Sequence, residues 1–422
     1  MPSILHITAH LGGGAGSVLS SVAVNAKQNG SPFTHEIMQL EPTDNTHYVK
    51  ICQDNNITLY LVDEVNIEDK INSADIVQIE WWHHPLTMKF MHEYLSMIPC
   101  RLVIWSHISG CKYPYIPVGF VMLPVKFIFT SPNSYENPLW NEESRDQIRK
   151  ISEVVVSSSG NYTGIISRTK KNSGFVIGYV GFLGYSKICP DFVRFCGAVD
   201  IPEALFTVVG DTSHGEALIN DVKKAGMREK FRFTGYSADV GEELRNFDVF
   251  GYLLNSEHTG TAENALLEAM AAGIPPVVLN QSAEKYIVRD GYTGFIVNNS
   301  VEYRNALRYL YERPKDRIRI GNNASGYVRE NFSINNTVKG LENIYENVLT
   351  FDKKLYDVKS VFGNNPYEWF KTCLGNSDKK SSNTDLILGP SKGSIHQYIE
   401  YFPKEERLKE HLLSILSISK EI

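Results

Sequence analysis

Short apolar segments alternate with helical segments along this chain, and this alternation is the feature that most constrains its fold. In the first block, residues 4–8 have the apolar character of a buried strand, and residues 17–29 carry apolar side chains at the spacing of one helix face. Further strands are predicted at residues 34–40, 76–79, 102–105, 127–130 and 153–157. Strands and helices in alternation indicate right-handed crossovers and a parallel sheet.

The same pattern resumes after a polar stretch, residues 169–173, which we interpret as a linker. The elements predicted in this second block are strands at residues 175–180, 205–209, 231–234, 249–254, 276–279 and 294–297, and helices at residues 305–312 and 338–350. We therefore predict an α/β protein with two Rossmann-like, doubly wound domains, residues 1–172 and 173–350. Residues 351–422 form a C-terminal extension whose amphipathic helix is expected to pack back on the first domain.

The composition argues against several classes of protein. Hydrophobic residues make up 42% and charged residues 21% of the 422 residues, as in a soluble globular protein, and the net charge of -6 argues against nucleic acid as a partner. The six cysteines contain no CxxC pair, so we expect reduced thiols. Because no apolar segment is long enough to span a bilayer, we expect a cytoplasmic protein. Peripheral contact of the C-terminal helix with a membrane is the alternative to its packing on the body.

A glycine-rich segment, residues 12–16, joins the first predicted strand to the first predicted helix. Glycines let a backbone approach a ligand closely, and the amino end of a helix favours anions. The alternative is a tight turn that serves packing alone. The spacing fits the dinucleotide fingerprint poorly, so a nicotinamide-dependent oxidoreductase, with Glu41 after the second strand, is a distant alternative.

Residues 255–279 carry the strongest functional signal in the chain. Thr261 is the predicted N-cap of a helix that ends near Gly273, which leaves the first-turn amides available to a phosphate. Asn264 and Glu268 lie four residues apart on one face of this helix. Glu268 is far enough along the helix to bind ribose hydroxyls while phosphates lie at the helix start. The alternative is that these carboxylates are solvated helix charges.

Glu80, Trp81, Trp82 and His83 form a dense cluster at the end of another predicted strand. We predict that this cluster is an acceptor-binding platform, because aromatic faces stack on the apolar faces of sugars. A metal site formed by histidines and glutamate is the less favoured alternative, because adjacent histidines alternate faces and rarely chelate one ion together.

The stretch LLEAMAAGIPPVV, residues 266–278, resembles the hallmark of the retaining glycosyltransferases of family 4, and the resemblance extends over roughly residues 174–349. Segments in the family's order also occur at residues 12–14, 106–107, 181–187, 208–211, 233–236 and 290–294. The resemblance implies the GT-B fold, in which an N-terminal acceptor domain and a C-terminal donor domain face a central cleft. It also implies a UDP- or GDP-linked sugar donor, a glycan or lipid-linked acceptor, a role in surface polysaccharide synthesis and no metal cofactor.

The resemblance also implies roles for individual residues. Glu268 matches the glutamate that holds the donor ribose, Lys187 matches the lysine that binds the donor diphosphate, and His107 matches the histidine near the donor sugar. Gly13 and Gly14 match the backbone that approaches the diphosphate and the sugar. The other donor-binding residues expected from the matching segments are Gly181, Tyr236 at the base pocket, Gly260, Thr261, Asn264 and Ala265.

Two positions depart from the family pattern. The first glutamate of the family's E-x7-E motif falls at Gly260, and the arginine that accompanies the lysine falls at Phe182. Glu257 and Glu263 are the candidates to replace the missing carboxylate, and we prefer Glu263 because it lies at the helix start. The predicted catalytic residues are therefore His107, Glu263 and Lys187. These departures keep two alternatives open, a sugar-nucleotide epimerase of similar fold and an inactive relative that binds nucleotide sugars.

Overall fold

The computed structural model describes residues 1–44, 46–160, 162, 174–237, 239–258, 260–375, 387–388 and 393–418. These residues form two compact units. The first contains the described residues of Met1–Ser159, Thr259–Ala262 and Ile334–Ile422, and the second those of Gly160–His258 and Glu263–Ser333. The predicted linker and the predicted boundary between residues 172 and 173 lie outside the described residues.

Each unit contains one sheet. The strands of the first sheet are β1 (Ser3–Thr8), β2 (Thr34–Gln39), β3 (Thr58–Leu61), β4 (Ile76–Trp81), β5 (Leu102–Ser106), β6 (Lys126–Phe129) and β7 (Ser152–Val154). The strands of the second sheet are β8 (Phe175–Val180), β9 (Ala204–Val209), β10 (Phe231–Gly235), β11 (Val249–Tyr252), β12 (Pro276–Leu279) and β13 (Phe295–Val297).

The α-helices connect and cover these strands. Those up to residue 224 are α1 (Gly13–Gln28), α2 (His47–Asp54), α3 (Ile67–Ser73), α4 (Pro85–Tyr94), α5 (Val118–Val121), α6 (Glu142–Ile151), α7 (Phe192–Gly197) and α8 (Glu216–Lys224). Those that follow are α9 (Val240–Leu244), α10 (Asn264–Ala271), α11 (Glu284–Ile287), α12 (Ser300–Glu312), α13 (Pro314–Asn331), α14 (Ile334–Val348), α15 (Val358–Phe362), α16 (Pro366–Thr372), α17 (Ile395–Tyr401) and α18 (Glu406–Ile418).

Both sheets are parallel and doubly wound. The order of the first is β3-β2-β1-β4-β5-β6-β7, and that of the second is β10-β9-β8-β11-β12-β13. The prediction of two Rossmann-like parallel sheets is therefore confirmed. In each sheet the strand order reverses beside the first strand, between β1 and β4 and between β8 and β11. Ligands of doubly wound proteins bind at the carboxyl ends of the strands beside such a reversal.

The first sheet is covered on both faces, because alternate residues of a strand point to opposite sides. Ile4 of β1 packs with residues of α1 and α14 in one apolar cluster. Leu5 of β1 packs in a different cluster, which includes residues of α4 and of the C-terminal extension, among them Phe362 and Tyr398. The described part of the extension therefore belongs to the core of the first unit.

The structure corrects the predicted grouping of α14. The sequence placed this helix in the second domain, but α14 lies in the first unit and packs against α1. Its buried face includes Val338, Leu341 and Tyr345, which join the cluster that contains Ile4. The prediction grouped α14 with the second sheet because the helix follows that sheet along the chain. An amphipathic helix does not indicate which sheet its apolar face will cover.

Three other local predictions were incomplete. Residues 12–16 are not a separate turn, because α1 already begins at Gly13, which adopts a left-handed φ of 59°. The sequence analysis did not identify β3 or α13. Helix α13 passes close to the chain after α10, where a Cβ on Gly321 would lie 2.0 Å from the carbonyl oxygen of Gly273. Among the described residues, no helix combines the length and the apolar character needed to cross a bilayer.

Candidate functional site

The amino end of α10 has an unusual backbone. The N-cap of this helix is Glu263, which adopts the left-handed conformation with φ 41° and ψ 58°, and its side chain makes no capping hydrogen bond. The prediction of Thr261 as the N-cap is therefore wrong. A left-handed conformation costs a glutamate on the order of 1 kcal/mol, and such residues concentrate at functional sites.

Gly260, Thr261 and Ala262 lie with the first unit. The Thr261 hydroxyl oxygen lies 3.5 Å from the carbonyl oxygen of His107, which is at the limit of a hydrogen bond. Thr261 is buried, and Gly260 is partly exposed. Thr261 therefore does not reach the first-turn amides of α10 as an N-cap would.

Lys187 and Tyr252 both reach the carboxylate of Glu263. Lys187 Nζ lies 3.1 Å from Glu263 Oε2, and the Tyr252 hydroxyl donates to the same oxygen at 2.6 Å. Burial alone would raise the pKa of Glu263, but Lys187, His258 and the Tyr252 hydroxyl outweigh burial and hold this pKa at about 2. Glu263 is therefore an anion at neutral pH. Its side chain is 1% exposed, whereas that of Lys187 is 32% exposed and so is open to a ligand.

The backbone around Lys187 is held by the loop that follows β11. The amide of Asn255 donates to the carbonyl oxygen of Lys187 at 2.7 Å, and its side-chain amide donates to the carbonyl oxygen of Tyr185 at 2.7 Å. Ile188 and Leu254 form an isolated bridge beside these bonds. The loop after β8 is thereby fixed to the loop after β11, at the point where the strand order reverses.

His258 lies between two buried carboxylates. Its Nδ1 is 3.6 Å from Glu263 Oε1, and its Nε2 is 3.4 Å from Glu284 Oε1. Burial lowers the pKa of His258, but the negative charges of Glu263 and Glu284 outweigh burial and raise it above its ordinary value. The sequence analysis did not identify His258 or Glu284, because their contact depends on loops that are distant along the chain.

The face of α10 predicted for donor binding is accessible. Asn264, Ala265 and Glu268 are partly exposed, whereas Leu266 and Leu267 between them are buried. Burial raises the pKa of Glu268 above its ordinary value. The Oδ1 atom of Asn264 is itself buried and has no hydrogen-bond partner among the described residues. This face therefore offers hydrogen-bonding groups close to the amino end of the helix.

The carboxyl ends of β8 and β10 carry other predicted donor contacts. Gly181 follows β8 with φ 153°, and a Cβ on Gly210 would lie 2.0 Å from the Gly181 carbonyl oxygen, so the two backbones approach closely. Tyr236 is 82% exposed. Phe182, at the position of the family's arginine, is 41% exposed and packs against the ring of His214. Phe182 offers no charge to a diphosphate.

A second polar cluster lies in the first unit and is centred on Glu80 at the end of β4. Glu80 Oε2 is 2.7 Å from His107 Nε2, and Glu80 Oε1 is 2.8 Å from His6 Nδ1 and 2.7 Å from Gln78 Nε2. His6 Nε2 continues the row to His35 Nδ1 at 2.8 Å. Burial would raise the pKa of Glu80, but the hydrogen bonds from His107 and His6 outweigh it and hold the pKa at about 2.

This row is buried almost throughout. His6, Gln78 and Glu80 are fully buried, and the side chain of His107, at the carboxyl end of β5, is 6% exposed. At the interior end, the Tyr345 hydroxyl of α14 donates to Gln78 Oε1 at 2.7 Å. The sequence predicted His107 as a site residue but gave its carboxylate partner a different role.

The predicted acceptor platform is not an open surface. Glu80, Trp81, Trp82 and His83 are each no more than 3% exposed. Trp81 packs against Phe120 in the core, Glu80 is turned towards His6 and His107, and His83 packs against the ring of Tyr398. The sequence analysis treated aromatic residues at a strand end as exposed, but the C-terminal extension covers them.

His10, Glu41 and His84 form a cluster with metal-like spacing at the ends of β1, β2 and β4. One ligand atom from each lies within 4.8 Å of the others. However, Nδ1 of His10 accepts from the amide of Gly12, and Nδ1 of His84 accepts from the amide of Leu86. Each neutral ring must then carry its hydrogen on Nε2, where a metal would need a lone pair. The residues therefore fit a hydrogen-bonding cluster better than a metal centre.

Glu41 has a further partner in the C-terminal extension. The Tyr401 hydroxyl donates to Glu41 Oε2 at 2.5 Å, and His84 Nε2 lies 3.4 Å from Glu41 Oε1. Burial raises the pKa of Glu41, which the hydrogen bond from Tyr401 only partly offsets. Nearby, Gly13 and Gly14 are exposed at the start of α1, and a Cβ on either would meet no atom within 4 Å. The ends of β1 and β2 are thus partly open and polar.

Parts of the chain are similar in sequence to known proteins. Residues 165–326 match the family model of the glycosyl transferases group 1. The chain is 30% identical over 144 residues to a Vi polysaccharide biosynthesis protein (VipC/TviE) of Salmonella typhi, a match that covers 32% of this chain and 24% of that protein. It is 32% identical over 114 residues to the UDP-Gal:alpha-D-GlcNAc-diphosphoundecaprenol alpha-1,3-galactosyltransferase of Escherichia coli, covering 25% of this chain and 28% of that enzyme. The chain thus spans less than a third of the length of either protein.

Solved structures share the fold over a larger part of the chain. A glycosyltransferase from Rickettsia africae superposes with a TM-score of 0.67 at 17% identity, covering 82% of this chain and 98% of that one. Anabaena HepE in complex with UDP superposes with a TM-score of 0.63 at 14% identity, covering 83% of this chain and 100% of that one. At these identities the likeness shows the fold, which is that of two parallel-sheet α/β domains as in GT-B glycosyltransferases.

Proposed function

We propose that this protein is a retaining, metal-independent glycosyltransferase that moves a sugar from a nucleoside diphosphate sugar to a glycan or lipid-linked acceptor. The observation that supports this most directly is the grouping of Lys187, Glu263 and Glu268 about the amino half of α10. These residues lie within the segment that matches the glycosyl transferases group 1. The name of the Escherichia coli relative favours a UDP-linked donor, and that of the Salmonella relative favours a role in polysaccharide biosynthesis. We propose that this role is in surface polysaccharide synthesis at the inner face of the membrane.

In this proposal the second unit binds the donor. The side chain of Glu263 does not cap the amino end of α10, so the first-turn amides and the helix dipole favour an anion such as the donor diphosphate. Glu268 accepts hydrogen bonds from the donor ribose, Asn264 and Ala265 line the same face, and Tyr236 lies beside the base.

Lys187 stabilises the leaving diphosphate. Its ammonium group is held by Glu263 in this structure, and its partial exposure leaves it free to contact an anionic ligand as well. A positively charged group aimed at developing negative charge is worth about 10²–10³ in turnover. Position 182 is a phenylalanine where the family has an arginine. In this proposal Lys187 and the backbone amides of α10 together supply the stabilisation of the diphosphate that the arginine would give.

Glu263 supplies the negative charge that the family places at the position of Gly260. Its carboxylate is ionised, with its pKa held at about 2, and its position at the helix start would let it stabilise positive charge at the anomeric carbon as the diphosphate departs. Attack on the same face of the sugar would retain the anomeric configuration. The left-handed backbone of Glu263 is consistent with a residue kept for its function at some cost in stability.

The first unit is proposed to bind the acceptor. His107 contacts a sugar hydroxyl, and Gly13 and Gly14 allow close approach of a ligand to the backbone. Because Trp81 and His83 are buried, the accessible acceptor groups at the strand ends are those of Glu41 and its neighbours rather than the predicted platform.

A ligand screen followed by a product assay tests the proposal. UDP, GDP and their common sugars are tested for a rise in melting temperature, since a ligand that binds only the native state stabilises it. NMR of the hits with acceptor glycans then identifies transfer and the anomeric configuration of the product. We expect a UDP-sugar to raise the melting temperature and the product to keep the donor's configuration.

Three results would contradict the proposal. Conversion of the donor sugar with no acceptor present would indicate an epimerase, and nucleotide binding without turnover over a broad acceptor panel would indicate an inactive relative. Loss of transfer after treatment with EDTA, restored by Mg²⁺ or Mn²⁺, would contradict metal independence. The Glu268→Ala variant is expected to weaken nucleotide binding, whereas the exposed Arg319→Ala variant of the same unit serves as a matched control.

A further inference from the structure

The buried row of polar side chains centred on Glu80 costs desolvation free energy in the interior of a sheet. Glu80, Gln78 and His6 have 0% exposure, and apolar side chains at these positions would avoid the cost of removing charge and polar groups from water. The row extends from Tyr345 in the interior to His107, whose side chain is 6% exposed. A carboxylate with three hydrogen-bond donors that ends at a predicted site residue indicates a role beyond packing.

The carboxylate of Glu80 determines where His107 carries its hydrogen. An ionised carboxylate only accepts hydrogen bonds, so the Nε2 atom of His107, 2.7 Å from Glu80 Oε2, must be the protonated nitrogen. The other neutral tautomer would set two lone pairs against each other at this distance. In the neutral ring the Nδ1 atom of His107 then keeps a lone pair, and this atom has no hydrogen-bond partner among the described residues.

The same carboxylate requires the opposite tautomer on its other side. His6 faces Glu80 Oε1 through Nδ1 and therefore carries its hydrogen on Nδ1 when neutral. Its Nε2 can then accept from His35 Nδ1, at 2.8 Å. Glu80 thus requires opposite neutral tautomers of His107 and His6, and both tautomers can be measured without knowing the substrate.

We infer that Glu80 is a positioning residue for His107, which fixes the imidazole as the Nε2–H tautomer and presents Nδ1 as an acceptor. The ligand group that fits Nδ1 is a hydrogen-bond donor, such as a sugar hydroxyl, and not an anionic oxygen. The identity of that group rests on the proposed function, whereas the tautomer does not.

The first test is the tautomeric state, measured by ¹⁵N–¹H correlation NMR of the full-length protein labelled at histidine. The His107→Gln and His6→Gln variants assign the two signals. We expect Nε2–H for His107 and Nδ1–H for His6 at pH 7.5, and loss of the single His107 tautomer in the Glu80→Gln variant. An Nδ1–H tautomer for His107, or a tautomer unchanged by Glu80→Gln, would overturn the inference even if the protein is an active transferase.

The second test separates positioning from stability. Glu80→Gln is expected to lower kcat by at least about tenfold while the KM for the donor changes less than about twofold, because the ring is misoriented but the donor site in the second unit is intact. Glu80→Asp should restore part of kcat, since it keeps the charge. The matched control is Tyr345→Phe, which disturbs the same buried row at its interior end and should lower the melting temperature without changing kcat.

Equal loss of kcat in Glu80→Gln and Tyr345→Phe would reduce Glu80 to a structural residue and overturn the inference. If the Glu80→Gln variant does not fold, the test rests on the kcat of Glu80→Asp and on the tautomers of His107 and His6 in the wild-type protein. If the wild-type protein transfers no sugar, the proposed function fails, and the NMR result still decides whether Glu80 sets the tautomer of His107.

Discussion

Glu80 in the first unit and Glu263 in the second are both buried and ionised, but their charges are compensated in different ways. Glu80 in the first unit is surrounded by hydrogen-bond donors from His6, Gln78 and His107. Glu263 in the second unit is paired with the ammonium group of Lys187 and accepts from the Tyr252 hydroxyl. In both cases the pKa is held at about 2. A similarly lowered pKa can therefore belong to a buried hydrogen-bond network, as at Glu80, or to an ion pair with a partly exposed lysine that a ligand can reach, as at Glu263.

Lys187→Ala is the change with the largest expected effect. It leaves Glu263 buried without its strongest partner and removes the cation proposed for the diphosphate, so turnover is expected to fall by about 10²–10³. Stability is expected to fall by about 1–3 kcal/mol, less than for a fully buried pair because the lysine is partly exposed. Steady-state kinetics and urea denaturation measure the two effects. Normal turnover with a normal denaturation midpoint would show that Lys187 neither supports turnover nor compensates the buried charge of Glu263.

Mild acid should affect the two units differently. Burial lowers the pKa of His35 and of His83, both in the first unit, to about 3, so the unfolded chain binds more protons below the ordinary value of 6.5 and stability falls as the pH drops from 6.5 towards 3. The expected loss is about 1.4 kcal/mol for each histidine per pH unit.

His258 in the second unit has the opposite sign. Because its pKa is raised, it contributes stability below pH 6.5 that is lost as the pH rises through its folded pKa. Hydrogen exchange by mass spectrometry, corrected for the intrinsic rate at each pH, should therefore show the first unit losing protection before the second between pH 7 and pH 5.5. Equal loss of protection in both units would contradict this assignment of buried histidines.

Two tyrosine variants compare the networks at a smaller scale. Tyr252→Phe removes a hydrogen bond to an ionised carboxylate and should cost about 2 kcal/mol, whereas Tyr345→Phe removes one to a neutral amide and should cost about 1 kcal/mol. Urea denaturation of both variants provides the measurement. A larger loss for Tyr345→Phe would contradict this order and mean that the bond to Gln78 stabilises the fold more than the bond to Glu263.

Glu41 offers the smallest expected effect. Burial raises its pKa, so its charged form is not stabilised by the fold, and Glu41→Gln keeps an oxygen that can accept from Tyr401. The change in stability should be within about 0.5 kcal/mol. Since His10 and His84 direct their lone pairs to backbone amides, added Zn²⁺ should not raise the melting temperature. A zinc-dependent rise that Glu41→Gln abolishes would contradict the tautomers described here.

The sequence predicted the sheets better than the site. Apolar runs and helical spacing located most strands to within two residues, because such runs can be stable only when buried between helices. The short β3 and the polar α13 were missed, since neither carries a strong apolar pattern. Helix α14 was detected but grouped with the wrong sheet.

Candidate site residues were easier to propose from the sequence than the contacts they make. Lys187, Glu263 and His107 stand out beside glycine-rich or helical segments, whereas their contacts depend on loops that meet only after folding. The left-handed backbone at Glu263 could not be predicted, because local sequence favours other conformations for glutamate. The position of Glu80 behind His107 required the register of β4 against β5, which pairs Glu80 with Trp105.

The first unit is built from discontinuous parts of the chain, and this has a consequence for its biosynthesis. A ribosome delivers residues 1–159 first, yet α14 and the extension that complete the core arrive only after residues 174–333 have emerged. The second unit can therefore fold during translation while the first waits, with part of both apolar faces of its sheet uncovered. Nascent chains truncated before residue 334 are thus the species most prone to aggregate or to recruit chaperones.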